Sequence, residues 1–116
     1  MATITKMLLS GSTNGKNIKA VATATPGTLV HTAVTGTSSM DEIFLFVTNN
    51  DTADRLVTIE WGGTTAVDDT IQQTIPFKAG EYQVIPGFLL QNGLVVRVFC
   101  AAANVVTVQG FVNRIA

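Results

Sequence analysis

The chain of 116 residues and 12.2 kDa has room for one domain. Charged residues supply 13% of it, about half the usual ~25%, while hydrophobic residues supply an ordinary 47%. A net charge of −1 gives no basic field for nucleic acid or anionic lipid, and the longest aliphatic and aromatic run, Ile43–Val47, is far below the ~18 residues of a membrane-spanning helix, so neither nucleic acid nor membrane is expected as a partner.

Val, Ile and Thr recur throughout, and helical stretches rich in Ala, Leu, Glu and Lys are missing, so the elements read as strands. Thr3–Ser10 is the first, and residues 1–12 are expected to be an arm or an edge strand. Its apolar stretch, Met7-Leu8-Leu9, is too short for the core of a secretory signal. Ser10–Asn17 imitates a phosphate-binding loop but has Ser10 where glycine is required and Asn17 where Ser or Thr should follow the lysine. Asn14-Gly15 reads instead as a tight hairpin turn, because both residues tolerate positive φ.

Lys16–Thr23 is the second run, and Thr25-Pro26-Gly27 marks a corner before Thr28–Val34. That third run carries the only histidine, His31, expected on a strand surface because no nucleophile motif accompanies it. Glu42–Asn49 follows and ends at Asn49-Asn50-Asp51. Asp51 and Asp54 lack the spacing of a calcium loop and read as turn formers. Arg55–Trp61 alternates cleanly, with Val57, Ile59 and Trp61 on one face and Thr58 and Glu60 on the other.

Gly62-Gly63 leads to Thr70–Pro76, and Lys78-Ala79-Gly80 to Glu81–Ile85. Pro86-Gly87 marks a corner and Asn92-Gly93 reads as a second hairpin turn, and they enclose three successive large apolar residues, Phe88, Leu89 and Leu90. Exposed clusters of this kind mark contact surfaces, whereas buried ones would close the end of a sandwich. Leu94–Ala101 contains the single cysteine, Cys100, which excludes an internal disulfide and reads as a buried small hydrophobe. Val105–Arg114 is the last run.

Short strands at this spacing predict an all-β domain: a single compact β-sandwich of about eight short, mostly antiparallel strands, with a jelly-roll-like topology among the arrangements open to it. Ile43–Val47, Leu94–Phe99 and Val105–Val112 are apolar on both faces, which fits either a central position or cover by another subunit. All eight acidic residues lie between Asp41 and Glu81, after a start that carries only Lys6, Lys16 and Lys19, so copies could pair head to tail. A surface made polar by Thr, Ser, Asn, Gln and Gly is easily desolvated, and this points to an assembly subunit. No catalytic, cofactor-binding or metal-binding residues are expected; the expected contacts are Ile4, Lys6, Phe88, Leu89 and Leu90.

The Thr/Ala/Gly-rich start, Asp41-Glu-Ile-Phe-Leu-Phe-Val-Thr-Asn-Asn50, the turn Thr58-Ile-Glu-Trp-Gly-Gly63 and the ending Gly110-Phe-Val-Asn-Arg-Ile-Ala116 resemble small virion proteins of tailed bacteriophages. In size and texture the chain is most similar to capsid decoration (cement) proteins. The resemblance implies a non-enzymatic protein on the outer capsid surface of a virion, bridging major capsid protein subunits and associating with itself as a homodimer or homotrimer. A tail or head–tail connector protein shares the same texture. A carbohydrate-binding module using Trp61 and a small hydrolase using His31 are the rivals from other classes.

Overall fold

A computed structural model describes residues 2–116. It contains nine strands: β1 (Ile4–Leu8), β2 (Ile18–Lys19), β3 (Thr28–Thr32), β4 (Met40–Asn49), β5 (Arg55–Trp61), β6 (Thr70–Ile75), β7 (Glu81–Leu90), β8 (Val95–Cys100) and β9 (Val106–Ile115). They form two antiparallel sheets, β1-β9-β4-β7, with β2 also on β9, and β3-β8-β5-β6. The pairs β5–β6, β4–β7, β3–β8 and β2–β9 are those of one long hairpin rolled into two layers, so the sandwich has jelly-roll order.

β1 and β2 share a single edge position. Leu8 pairs with Phe111 and Ile18 with Val108, so the two strands run in line along β9 with residues 9–17 looped out between them. The expected edge strand is present, and the nine strands occupy eight positions, matching the expected number.

The core lies between the sheets and takes alternate residues from each. Ile43, Leu45 and Val47 of β4, Val57 and Ile59 of β5, Val96, Val98 and Cys100 of β8, and Val106, Val108 and Val112 of β9 are buried there. Gly110 sits in the same β9 row, where an added Cβ would overlap the Phe44 carbonyl oxygen. Gly110→Ala is therefore expected to cost about 1–3 kcal/mol, read as a drop of several degrees in the thermal midpoint. An unchanged midpoint would show that the strand can shift at no cost.

Three sequence expectations need correcting. β7 does not stop at Ile85 but runs through Pro86-Gly87 to Leu90, with register shifts against β4. Proline is tolerated there because β7 is an edge strand and needs no outward N–H, and Gly87, at φ +103°, passes close over the Phe44 ring. Asn14-Gly15 and Asn92-Gly93 do adopt positive φ, but neither closes a hairpin. The first joins two strands that both pair with β9, and the second joins strands of opposite sheets. The second run, read as Lys16–Thr23, shrinks to Ile18–Lys19.

Candidate protein interface

The cross-strand register of the first sheet brings its outward side chains into rows. Ile4, Ile115 and Met40 form one row, and Lys6, Asn113, Glu42 and Leu89 the next. Leu8, Phe111, Phe44 and Pro86 form the third, and Gln109, Phe46 and Gln83 the fourth. The outward positions of β4 and β9 other than Gln109 are partly buried against one another, while Ile4 and Leu89 stand 67% and 53% exposed at opposite sides. Phe44 and Phe111 stack at the centre, with ring centroids 4.6 Å apart and planes 16° from parallel. Lys6 Nζ lies 5.2 Å from the Phe111 centroid, and Asn113 Nδ2 donates to Glu42 Oε1 at 3.1 Å.

A depression of about 490 Å³ lies at the Met40 and Leu89 end of this face, where it reaches Leu90 and Leu94 beyond the face; another, of about 260 Å³, is lined by Phe46, Glu81, Gln109 and Phe111. An aromatic and aliphatic face with so few charges has the composition of an interface core. The outer face of the second sheet differs: its rows place Thr58 between Phe99 and Gln72, and Glu60 between Arg97 and Thr70. Glu60 is buried there under the 25–27 turn, accepting from Thr25 Oγ1 at 2.5 Å and the Gly27 N–H at 2.6 Å. That face also carries Leu29 and Leu56, 39% and 50% exposed, but it has no aromatic stack like that of Phe44 and Phe111 among the described residues.

The structure brings Ile4, Lys6 and Leu89 together on that face and removes the other two expected contacts from it. Leu90 pairs with Asp41, points inward and is 8% exposed. Phe88 turns to the rim between the sheets and meets the Trp61 ring edge-on, 6.0 Å between centroids. One row therefore contributes one contact, because successive residues of a strand alternate faces. Phe44, Phe111, Met40 and Leu8 were missing from the expected set, although the two-sided apolarity of β4 and β9 was the signal that could have found them.

His31 is not on a strand surface. It is 1% exposed and belongs to a buried polar cluster. The Ser10 backbone N–H donates to its Nδ1 at 3.0 Å, so the ring hydrogen sits on Nε2 and is donated to Asp41 Oδ2 at 2.8 Å. Arg114 completes the cluster with Nε to Asp41 Oδ1 at 2.8 Å and Nη2 to Oδ2 at 3.0 Å. Burial alone would disfavour the Asp41 carboxylate, but the bonds from Arg114 and His31 outweigh it and hold the carboxyl below its ordinary range. The same ion pair raises Arg114.

Ser10, His31 and Asp41 thus meet in space, yet the Ser10 hydroxyl oxygen accepts the Thr32 N–H at 2.7 Å and makes no bond to the ring. With both imidazole nitrogens engaged below the surface, this arrangement staples the 9–17 loop to β3, β4 and β9; it offers no nucleophile–base pair. The acidic turn is equally occupied. Asp51 accepts from the Thr52 N–H and Arg55, which hold its carboxyl below the usual range, and Asp54 accepts the Phe77 N–H. Among the described residues no three His, Cys, Asp or Glu side chains converge as a metal site requires. No family model, curated protein or solved structure matches the chain.

Proposed function

We propose that the chain is a non-enzymatic structural protein of a virion that sits on the outer capsid surface and bridges major capsid protein subunits through the outer face of β1-β9-β4-β7. The observation that supports this reading is the open apolar face built on the Phe44–Phe111 stack, set against a second sheet whose outer face mixes polar rows with Leu29 and Leu56. The resemblance to decoration proteins supplies the shell as partner. Jelly-roll sandwiches recur in capsid and lectin domains, which is an analogy of fold and not of site.

The size of the face suits a lattice partner. Four strands at ~4.8 Å spacing and rows spanning roughly nine residues at ~3.3 Å give about 600 Å², less than the ~800 Å² per partner of a typical stable contact. A single copy would hold weakly, whereas self-associated copies on a repeating shell gain from effective concentration. The bridging contact then stabilises the shell by apolar burial at ~25 cal/mol per Å².

The test is the copy number of the chain in purified particles from its source, by quantitative mass spectrometry. A number comparable to the major shell protein is the expected result. A handful per particle would favour the tail or head–tail connector reading, and complete absence would overturn the virion reading. For a carbohydrate-binding module, glycan binding would have to vanish in Trp61→Ala, although Phe88 already packs edge-on against that ring.

A further inference from the structure

We propose that the free edge of β6 is a seam between two copies of this chain, joining their β3-β8-β5-β6 sheets across a two-fold axis at Gln72. This specifies the self-association in the preceding reading but needs no shell. Sheet edges offer unpaired N–H and C=O groups to any other strand, and folded proteins blunt them. Three of the four edges here are blunted. β1 is short and carries Lys6, and β7 has Pro86 and two register shifts. The β3 edge is covered by the looped-out segment, through Gly11 N–H to Val30 O at 2.9 Å and Thr32 N–H to Ser10 Oγ at 2.7 Å.

Between Thr70 and Ile75, β6 has none of these devices, and Pro76 ends the strand just beyond them. Thr70-Ile-Gln-Gln-Thr-Ile75 contains no charge and no proline, and its register with β5 is unbroken from Arg55↔Ile75 to Glu60↔Thr70. Trp61 N–H donates to Asp69 O at 2.7 Å, which sets the alternation of the ladder. Ile71, Gln73 and Ile75 therefore bond toward β5, and the N–H and C=O groups of Thr70, Gln72 and Thr74 point outward. Among the described residues nothing bonds to these outward groups.

The edge is complementary to itself. An antiparallel copy that pairs Gln72 with Gln72 also pairs Thr70 with Thr74, so every outward group finds a partner in about six N–H···O bonds. Paired residues share the same parity, so the sheet continues flat across the axis with both cores on one side. The antiparallel pairing brings the turn that carries Val67, before the strand, toward the turn that carries Phe77, after it. Both are exposed, at 86% and 51%, and Val67 is held at φ +75°, a strained backbone for a β-branched residue. The acids Asp68 and Asp69 precede the strand and Lys78 follows it, so the copies also bring opposite charges together. That choice of signs and apolar ends fits a second copy of this chain.

Sedimentation analysis of the isolated full chain tests the seam, from about 1 μM upward, because so small a contact belongs to the weak class. Wild type should pass reversibly from monomer to dimer. Gln72→Lys and Gln72→Glu each place like charges across the axis and should raise the dissociation constant at least about tenfold, while an equimolar mixture should recover dimer. Thr74→Lys serves if a Gln72 variant fails to fold. A wild type that stays monomeric at the highest concentration, a trimer mass, or a Gln72→Lys chain that dimerises like wild type would overturn the seam. Shell attachment is read separately, so a failure there leaves this result standing.

Discussion

Asp41→Asn is expected to lower the unfolding free energy by about 3 kcal/mol and the thermal midpoint by more than about 10 °C. Asp41 is fully buried on β4 and accepts from His31, from both Arg114 donors and from the Val34 N–H at 3.1 Å. Asparagine keeps the shape but turns an amide NH₂ toward donors and leaves the guanidinium without its counter-charge. Breaking a buried pair in this way costs about 3–5 kcal/mol, and the lower end applies because the Arg114 side chain is 29% exposed and can rehydrate. The loss would reach across the sandwich, since the cluster ties the edge loop and β3 to β4 and β9.

The same substitution should change the response to acid. The folded carboxyl of Asp41 lies below its unfolded value of ~3.9, so its contribution is complete above that pH and is lost as pH falls through the folded value. Urea unfolding of wild type and Asp41→Asn should therefore differ by a constant amount between about pH 5 and 7, and the gap should close below about pH 4. A gap under about 1 kcal/mol at neutral pH, or one that persists unchanged to pH 2, would show that the cluster does not carry the stability assigned to it.

These two kinds of feature, cluster and face, differ in how far they can be read from sequence. β5 falls at Arg55–Trp61 as expected because its alternation and flanking turns agree locally. The full length of β7 is not legible because Pro86-Gly87 punctuates the sequence, and only the sheet order reveals that this proline stands on an edge. The burial of His31 is not legible locally because its partners are remote: Asp41 is 10 residues away, Ser10 is 21, and Arg114 reaches Asp41 across 73. The two Asn-Gly turns are local and formed, but the strands they join pair by the rolled hairpin, which no single turn encodes. The outer face was half legible: β4 and β9 showed apolar residues on both sides, while the row that joins Lys6 to Leu89 depends on register across four strands.

Leu89→Asp is expected to leave the fold intact and to weaken attachment to the shell by at least about thirtyfold per contact. The side chain is more than half exposed on β7, so its replacement should move stability by no more than ~0.5 kcal/mol. In a complex the same position would be desolvated beside the Met40 and Leu94 groove, and burying an unpaired carboxylate there would cost at least about 2 kcal/mol, the equivalent of that thirtyfold. If β6 joins two copies, each dimer carries the defect twice, and occupancy of particles should collapse rather than decline. The double variant Leu89→Asp with Gln72→Lys would then separate the two effects, since a monomer loses the second attachment whether or not the first is intact. Binding of purified variants to particles stripped of this protein provides the measurement, with circular dichroism as the control for folding. Full occupancy by Leu89→Asp would sink the assignment of the β1-β9-β4-β7 face as the attachment surface and move the search to the rim around Trp61 and Phe88.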